Sequence, residues 1–210
     1  MTESIEAVVF DLGGVILNID YGRTIEMLST LSQTNFADTY TQHRQDPLFD
    51  QFETGKVGAP TFRDGLRRLL QTELSDHQLD VAWNAMLLNI PAERIDLLER
   101  VATRKRIFLL SNTNEIHQLA FDQIVRVTFG DRLASLTQLF EKTYYSHLVG
   151  DRKPNASMFE RVLEENRLNP NQTLFIDDTL GHIEGAKKVG LQTLHLTNGQ
   201  TIEDLDVLHS

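Results

Sequence analysis

Five short apolar runs, spaced along the chain and separated by segments of helical period, constrain the fold more than any other feature. EAVVF (6–10), RIFLLSN (106–112), TLFIDD (173–178) and TLHL (193–196) are rich in β-branched, aromatic and leucine residues and are nearly unbroken by polar positions, with TYYS (143–146) a weaker fifth. A strand with one wet face alternates apolar and polar residues; one buried on both faces does not. Between the runs the period lengthens. Ile116, Leu119, Ala120 and Ile124 suit a helix around 114–126. Met158, Phe159, Val162 and Leu163 suit one around 155–166 behind Pro154, and Ile183, Ala186 and Val189 one around 180–190 stopped by Gly190. Strands alternating with helices predict an α/β fold: a Rossmann-like, doubly wound parallel sheet.

One stretch breaks the alternation. From about 21 to 103 no strand pattern occurs, only helical ones: Ile25, Leu28, Leu31; Phe62, Leu66, Leu69, Leu70; Leu79, Trp83, Met86, Leu87; and Ile95, Leu98, Val101, with a turn at Gly55, Gly58 and Pro60. The expectation is a core from residues 1–17 and 104–210 and a helical domain, 18–103, inserted after the first strand. The tail TIEDLDVL (201–208) is expected to dock as a short helix or to fray.

The bulk numbers narrow the function. A net charge of −10 disfavours nucleic acid and anionic membranes as partners, and the absence of cysteine removes disulfides, thiolate metal sites and cysteine nucleophiles. MTESIEAVVF has no basic leader and too short an apolar run for a signal peptide or membrane span, so a cytoplasmic monomer or homodimer is expected.

Ligands of an open parallel sheet bind at the carboxyl ends of its strands. Here those ends carry Asp11, then Ser111 and Asn112, then Asp177 and Asp178, while Lys153 opens the helix between the last two strands. Clustered carboxylates raise one another's pKa unless a cation offsets them. Mg²⁺ with oxygen ligands is the natural one, and a phosphate dianion completes the charge balance with Lys153. Ser111, Asn112 and loop N–H groups are candidates to hold phosphate oxygens, and Asp11 to attack phosphorus. Gly13 and Gly14 let the backbone turn and approach a ligand.

These motifs resemble the haloacid dehalogenase superfamily. VVFDLGGVI is similar to its first motif, with Asp11 as nucleophile; LLSNTN to the second, with Ser111; DRKP to the third, with Lys153; FIDDTLGHIEGA to the fourth, with Asp178 as metal ligand and Asp177 its acidic neighbour. The resemblance implies that the carbonyl of Gly13 also binds Mg²⁺ and that the insert is a helical cap. It also implies that the substrate is a small phosphorylated metabolite, a sugar phosphate among the candidates. The motif variants most resemble the subgroup holding a bacterial glucose 1-phosphate phosphatase and the phosphatase domain of soluble epoxide hydrolases. Metal-independent dehalogenation of a 2-haloacid and a noncatalytic binding role are the alternatives.

Two departures from the family pattern stand out. Phosphatases of the family carry an acid/base Asp where this chain has Gly13; Asp20 and His117 are candidate replacements. His182 stands where the family often has Asp or Asn near the metal. Histidines 43, 77, 147, 195 and 209 show no ligand spacing and are read as surface or satisfied core residues, Asp151 and Arg152 as shaping the loop, and Trp83 and Met86 as cap packing. Phe49, Phe52, Glu53 and Lys56 are the cap's candidates to face Asp11.

Overall fold

The computed structural model describes residues 4–31, 36, 47–197 and 199–209; His43 lies outside them. All five runs form strands: β1 (Ala7–Phe10), β2 (Arg106–Ser111), β3 (Lys142–Tyr145), β4 (Thr173–Asp177) and β5 (Gln192–His195). They pair in parallel in the order β3-β2-β1-β4-β5. The unbroken apolar runs have a direct cause. Val8, Phe10, Ile107, Leu109, Leu174 and Ile176 enter one buried cluster, while their neighbours Ala7, Val9, Phe108, Leu110 and Phe175 enter another on the opposite face. Both faces of the central strands are dry, so every position is apolar.

Between β1 and β2 lie α1 (Tyr21–Leu31), α2 (Pro47–Glu53), α3 (Ala59–Leu70), α4 (Asp76–Asn84) and α5 (Ala92–Ala102). The first four share a core of their own, built on Leu28, Phe36, Phe49, Phe52, Phe62, Leu66, Leu70, Leu79 and Trp83. Helix α5, assigned from sequence to the insert, belongs elsewhere: Ile95, Leu98 and Val101 pack with Val8, Phe10 and Ile107 of the sheet. The chain leaves and returns through a short paired segment. The N–H of Asn18 donates to Asn89 O, that of Leu88 to Asn18 O and that of Asp20 to Met86 O, each at 2.9 Å. Met86 and Leu87 therefore lie in this crossing rather than on α4, which ends at Asn84.

After β2 comes α6 (Glu115–Phe129); α7 (Ser146–Val149) and α8 (Ala156–Asn166) follow β3, α9 (Leu180–Lys188) follows β4, and α10 (Asp206–His209) closes the chain. Helix α6 presents a different face from the one its periodicity suggested: Ile116, His117, Phe121 and Val125 are buried, and Leu119 is 69% exposed. Its first turn serves the insert's core through Ile116 and its later turns serve the sheet through Phe121 and Val125, so the buried stripe is shared between two cores. The tail docks, with Ile202, Leu205 and Leu208 buried and Arg104 donating to the carbonyls of Leu208 and His209. Among the described residues no helix is long and apolar enough to cross a membrane.

Candidate active site

Strand register assembles the site. Phe10 is paired with Leu109 on one side and Ile176 on the other, so Asp11 stands level with Leu110 and Asp177, and Ser111 lies one residue further out on the same edge. Asp11 is 6% exposed, Ser111 3%, and Lys153 and Asp177 are fully enclosed. Lys153 lies between the two strands' carboxylates, its Nζ 2.7 Å from Asp11 Oδ1 and 2.7 Å from Asp177 Oδ2, and 5.4 Å from the centre of the Phe175 ring beneath.

Two carboxylates share one ammonium, and they do not share it equally. Asp177 also accepts the N–H of Thr179 at 2.8 Å and faces His182 Nδ1 at 3.0 Å. Burial pushes Asp177 up, but Lys153 and His182 outweigh it and hold the carboxyl at about 2. Among the described residues Asp11 has Lys153 alone as a side-chain partner. Burial dominates there, Asp177 and Asp178 add repulsion, and its pKa rises to about 7. Burial, with Lys153 nearby, pushes the imidazole of His182 down.

The placement of Lys153 is set by a residue expected to touch substrate. Asn112 Nδ2 donates to Lys153 O, and Lys153 N–H donates to Asn112 Oδ1, both at 2.9 Å. The Asn112 amide thereby clamps the backbone of the lysine loop. Next to it, Thr113 and Ser146 exchange two hydrogen bonds, tying the β2 loop to α7. Against the other side of the lysine loop lies Gly185 of α9, where a Cβ would stand 2.6 Å from Pro154 O.

Asp178 sits apart from the Lys153 network. Its carboxylate accepts the hydroxyl of Thr179 at 3.2 Å, and its backbone carbonyl faces His195 Nε2 at 3.0 Å. It lies directly over Gly14, whose φ is +76° and where a Cβ would come within 2.0 Å of Asp178 Oδ2. Of the pair Gly13 and Gly14, the backbone requires glycine at Gly14 alone. Gly13 has no such constraint, and its close approach is to Ile19 rather than to open space.

Asp11, Asp177 and His182 offer ligand atoms within 4.8 Å of one another. A cation among those three would confront the Lys153 ammonium, and the oxygens of Asp177 are already engaged. Asp11 and Asp178 offer hard oxygen donors of the kind Mg²⁺ takes.

Neither candidate acid/base replacement shares a hydrogen bond or ion pair with Asp11, Lys153, Asp177 or Asp178 among the described residues. Asp20 is half exposed and starts α1, accepting the N–H of Gly22 at 2.9 Å with Arg23 at 3.5 Å. His117 is buried between α6 and α4. It stacks on Trp83 with ring centres 5.1 Å apart, accepts from Asn114 at Nδ1 and faces Trp83 O with Nε2 at 3.2 Å. Phe49 and Phe52 are buried in the insert's own core, Phe52 stacked on Phe62, and Lys56 is exposed. Sequence reasoning gave no role to the contact between Arg152 and the insert, where Nη1 lies 3.2 Å from Asp50 Oδ1 and 3.0 Å from Glu53 Oε2. Nothing in the local sequence pattern pairs residues so far apart.

A parallel sheet of this order, with a strand-end carboxylate, a buried lysine and an acidic pair, defines a class. The chain matches the haloacid dehalogenase-like hydrolase family over residues 5–190 and belongs to it. It is 27% identical over 195 residues to D-ribitol-5-phosphate phosphatase of Bacteroides thetaiotaomicron, covering 93% of each chain. A solved enzyme of the same family from B. thetaiotaomicron, in complex with magnesium and inorganic phosphate, is 33% identical with a TM-score of 0.83, over 94% of this chain and 96% of that one. L-2-haloacid dehalogenase from Xanthobacter autotrophicus is 18% identical with a TM-score of 0.57, over 91% of this chain and 77% of that one; that likeness extends to the fold alone.

Proposed function

We propose that this protein is a Mg²⁺-dependent phosphatase of small phosphorylated metabolites, with Asp11 as the nucleophile. The observation that carries the reading is the buried Asp11 carboxylate at the strand edge, 2.7 Å from Lys153 and short of positive charge. The named activity of the B. thetaiotaomicron relative and the magnesium and phosphate bound in the solved one support it.

In this reading Asp11, the carbonyl of Gly13 and Asp178 hold the metal. Bound Mg²⁺ supplies the positive charge that keeps Asp11 ionised and neutralises phosphate oxygens. Lys153 and the Ser111 hydroxyl bind the phosphoryl oxygens. An oxygen of Asp11 bonds to phosphorus as the bond to the organic oxygen breaks, and that oxygen leaves with a proton from water. A second water attacks the phosphorus of the aspartyl phosphate, its bond to Asp11 breaks, the proton that water loses neutralises the hydroxide left by the first, and phosphate leaves with the carboxylate restored. Asp177, itself met by His182, holds Lys153 in place. The insert between the paired segments 18–20 and 86–89 acts as a cap.

The test is phosphate release from a panel of sugar phosphates, polyol phosphates and nucleotides, with Mg²⁺ and with chelator, for the wild type and Asp11→Asn. Expected are release that needs the metal and a fall of about 10³-fold or more in the variant. A folded wild type that releases phosphate from no member refutes the phosphatase reading; undiminished turnover by Asp11→Asn refutes the nucleophile.

A further inference from the structure

The turn that follows Asp11 carries Gly13 and Gly14 and closes on itself. The N–H groups of Ile16 and Leu17 both donate to Leu12 O at 2.8 Å, and that of Gly14 donates to Leu17 O at 2.9 Å. A cation on helix α5 grips its outgoing end. Arg94 Nη1 donates to Ile16 O at 3.2 Å and to Asn18 Oδ1 at 2.9 Å, and Asn18 Nδ2 in turn donates to Asn89 Oδ1 at 3.1 Å. Arg94 is 6% exposed and stands in the buried stripe of α5 with Ile95, Leu97, Leu98 and Val101. Its Nε lies 3.4 Å from Oε2 of Glu203, which follows the buried Ile202 in the docked tail.

An apolar residue at 94 would continue that stripe with no charge to bury. Exchanging a buried ion pair for apolar side chains is often neutral or stabilising, so stability alone is poor ground for an arginine here. A guanidinium does what no apolar group can: it donates to two oxygens at once from one rigid plane. Those oxygens, on Ile16 and Asn18, flank Leu17, whose carbonyl holds the N–H of Gly14. The grip therefore reaches Gly14, over which Asp178 lies, through a single hydrogen bond. We propose that Arg94, with Glu203 as its counter-charge, is a positioning residue for the metal site: it fixes the turn after Asp11 and with it the Gly13 carbonyl and the seat of Asp178. The C-terminal tail thereby supports a site built on the N-terminal strand. This inference rests on the phosphatase reading above and adds a residue that orients its metal ligands.

The experiment compares the wild type with Arg94→Met, Arg94→Lys and a control, Leu70→Ala, which opens a cavity in the insert's own core. Calorimetry measures Mg²⁺ affinity, hydrogen exchange without metal follows the amides of 12–18, and urea unfolding gives stability. Arg94→Met should lose roughly 10–100-fold in Mg²⁺ affinity, the range for groups that orient metal ligands. Its amides over 12–18 should exchange about tenfold faster or more, since the grip that limits local opening is gone. Arg94→Lys keeps the charge but loses the fork, and should fall between Met and wild type in both assays. Leu70→Ala should lose stability yet bind Mg²⁺ within about twofold of wild type, as a distant and independent site. If Arg94→Met loses no more Mg²⁺ affinity than Leu70→Ala, or if its exchange over 12–18 is that of the wild type, Arg94 has only a structural role and the inference is wrong. Arg94→Lys carries the test if the Met variant does not fold, and wild-type affinity and exchange in it overturn the inference. A wild type that binds no Mg²⁺ refutes the metal-dependent reading itself, which is a different result from intact binding in the variants.

Discussion

Gly13 and Gly14 are adjacent, chemically identical and structurally opposite, and alanine at each position separates their roles. At Gly14 the backbone is left-handed, with φ +76°, and an added Cβ would stand 2.0 Å from Asp178 Oδ2 and 2.6 Å from its Cγ. The left-handed backbone alone costs an L-residue about 1–2 kcal/mol. The overlap is relieved only by moving the carboxylate or the turn that carries Asp11 and Gly13. Disturbing groups that orient metal ligands typically costs roughly 10–100-fold in metal affinity, so Gly14→Ala should lose at least that in Mg²⁺ binding and about 1–2 kcal/mol in stability. At Gly13 the added Cβ meets Ile19 Cδ1 at 3.2 Å, the free end of a flexible side chain, and the backbone is not left-handed. The reduced freedom of the unfolded chain contributes about 0.4–1 kcal/mol in the variant's favour, so Gly13→Ala should stay near wild type in stability. Urea unfolding without metal gives the first quantity and calorimetric Mg²⁺ titration the second. The reasoning is refuted if Gly14→Ala binds Mg²⁺ within twofold of wild type, or if the two variants lose the same amount in both assays.

Two further predictions follow from contacts at the edges of the site. Asn112→Ala removes both hydrogen bonds that fix the Lys153 backbone. It should cost roughly 1–3 kcal/mol and lower kcat more than it raises KM, and a variant with unchanged unfolding and turnover would show that the clamp is idle. Burial pushes His117 down from 6.5 to about 4, opposed by its bond to Trp83 O. Between those values the unfolded chain binds the proton and the folded one does not. The contribution is therefore complete above pH 6.5 and shrinks as pH falls toward 4, by roughly 3 kcal/mol at most. His117→Phe, which can still stack on Trp83, should show a shallower loss of stability between pH 7 and 4.5, and parallel curves for the two proteins would sink the assignment.

The amino-acid sequence by itself determined the parallel sheet and the edge on which chemistry is set. Runs such as AVVF and TLFI are apolar at every position because both faces of their strands are dry, and that is a local property of the chain. A polar residue ending such a run marks the carboxyl end of a strand, so Asp11, Ser111, Asp177 and Asp178 were legible as one constellation. The division of labour within it was decided only by tertiary structure. Asp177 and Asp178 are neighbours in the chain, yet one meets Lys153, Thr179 and His182 while the other lies over Gly14. Asn112 grips a backbone 41 residues away, a contact no local pattern announces. Asp20 and His117 are occupied by a helix start and by Trp83, and α5 joined the sheet instead of the cap. Arg152 meets a carboxylate about a hundred residues earlier only because the cap folds back onto the lysine loop. Periodicity and strand-end chemistry are written within a dozen residues. Which donor satisfies which acceptor depends on distances between segments, and those exist only once the sheet and cap have packed.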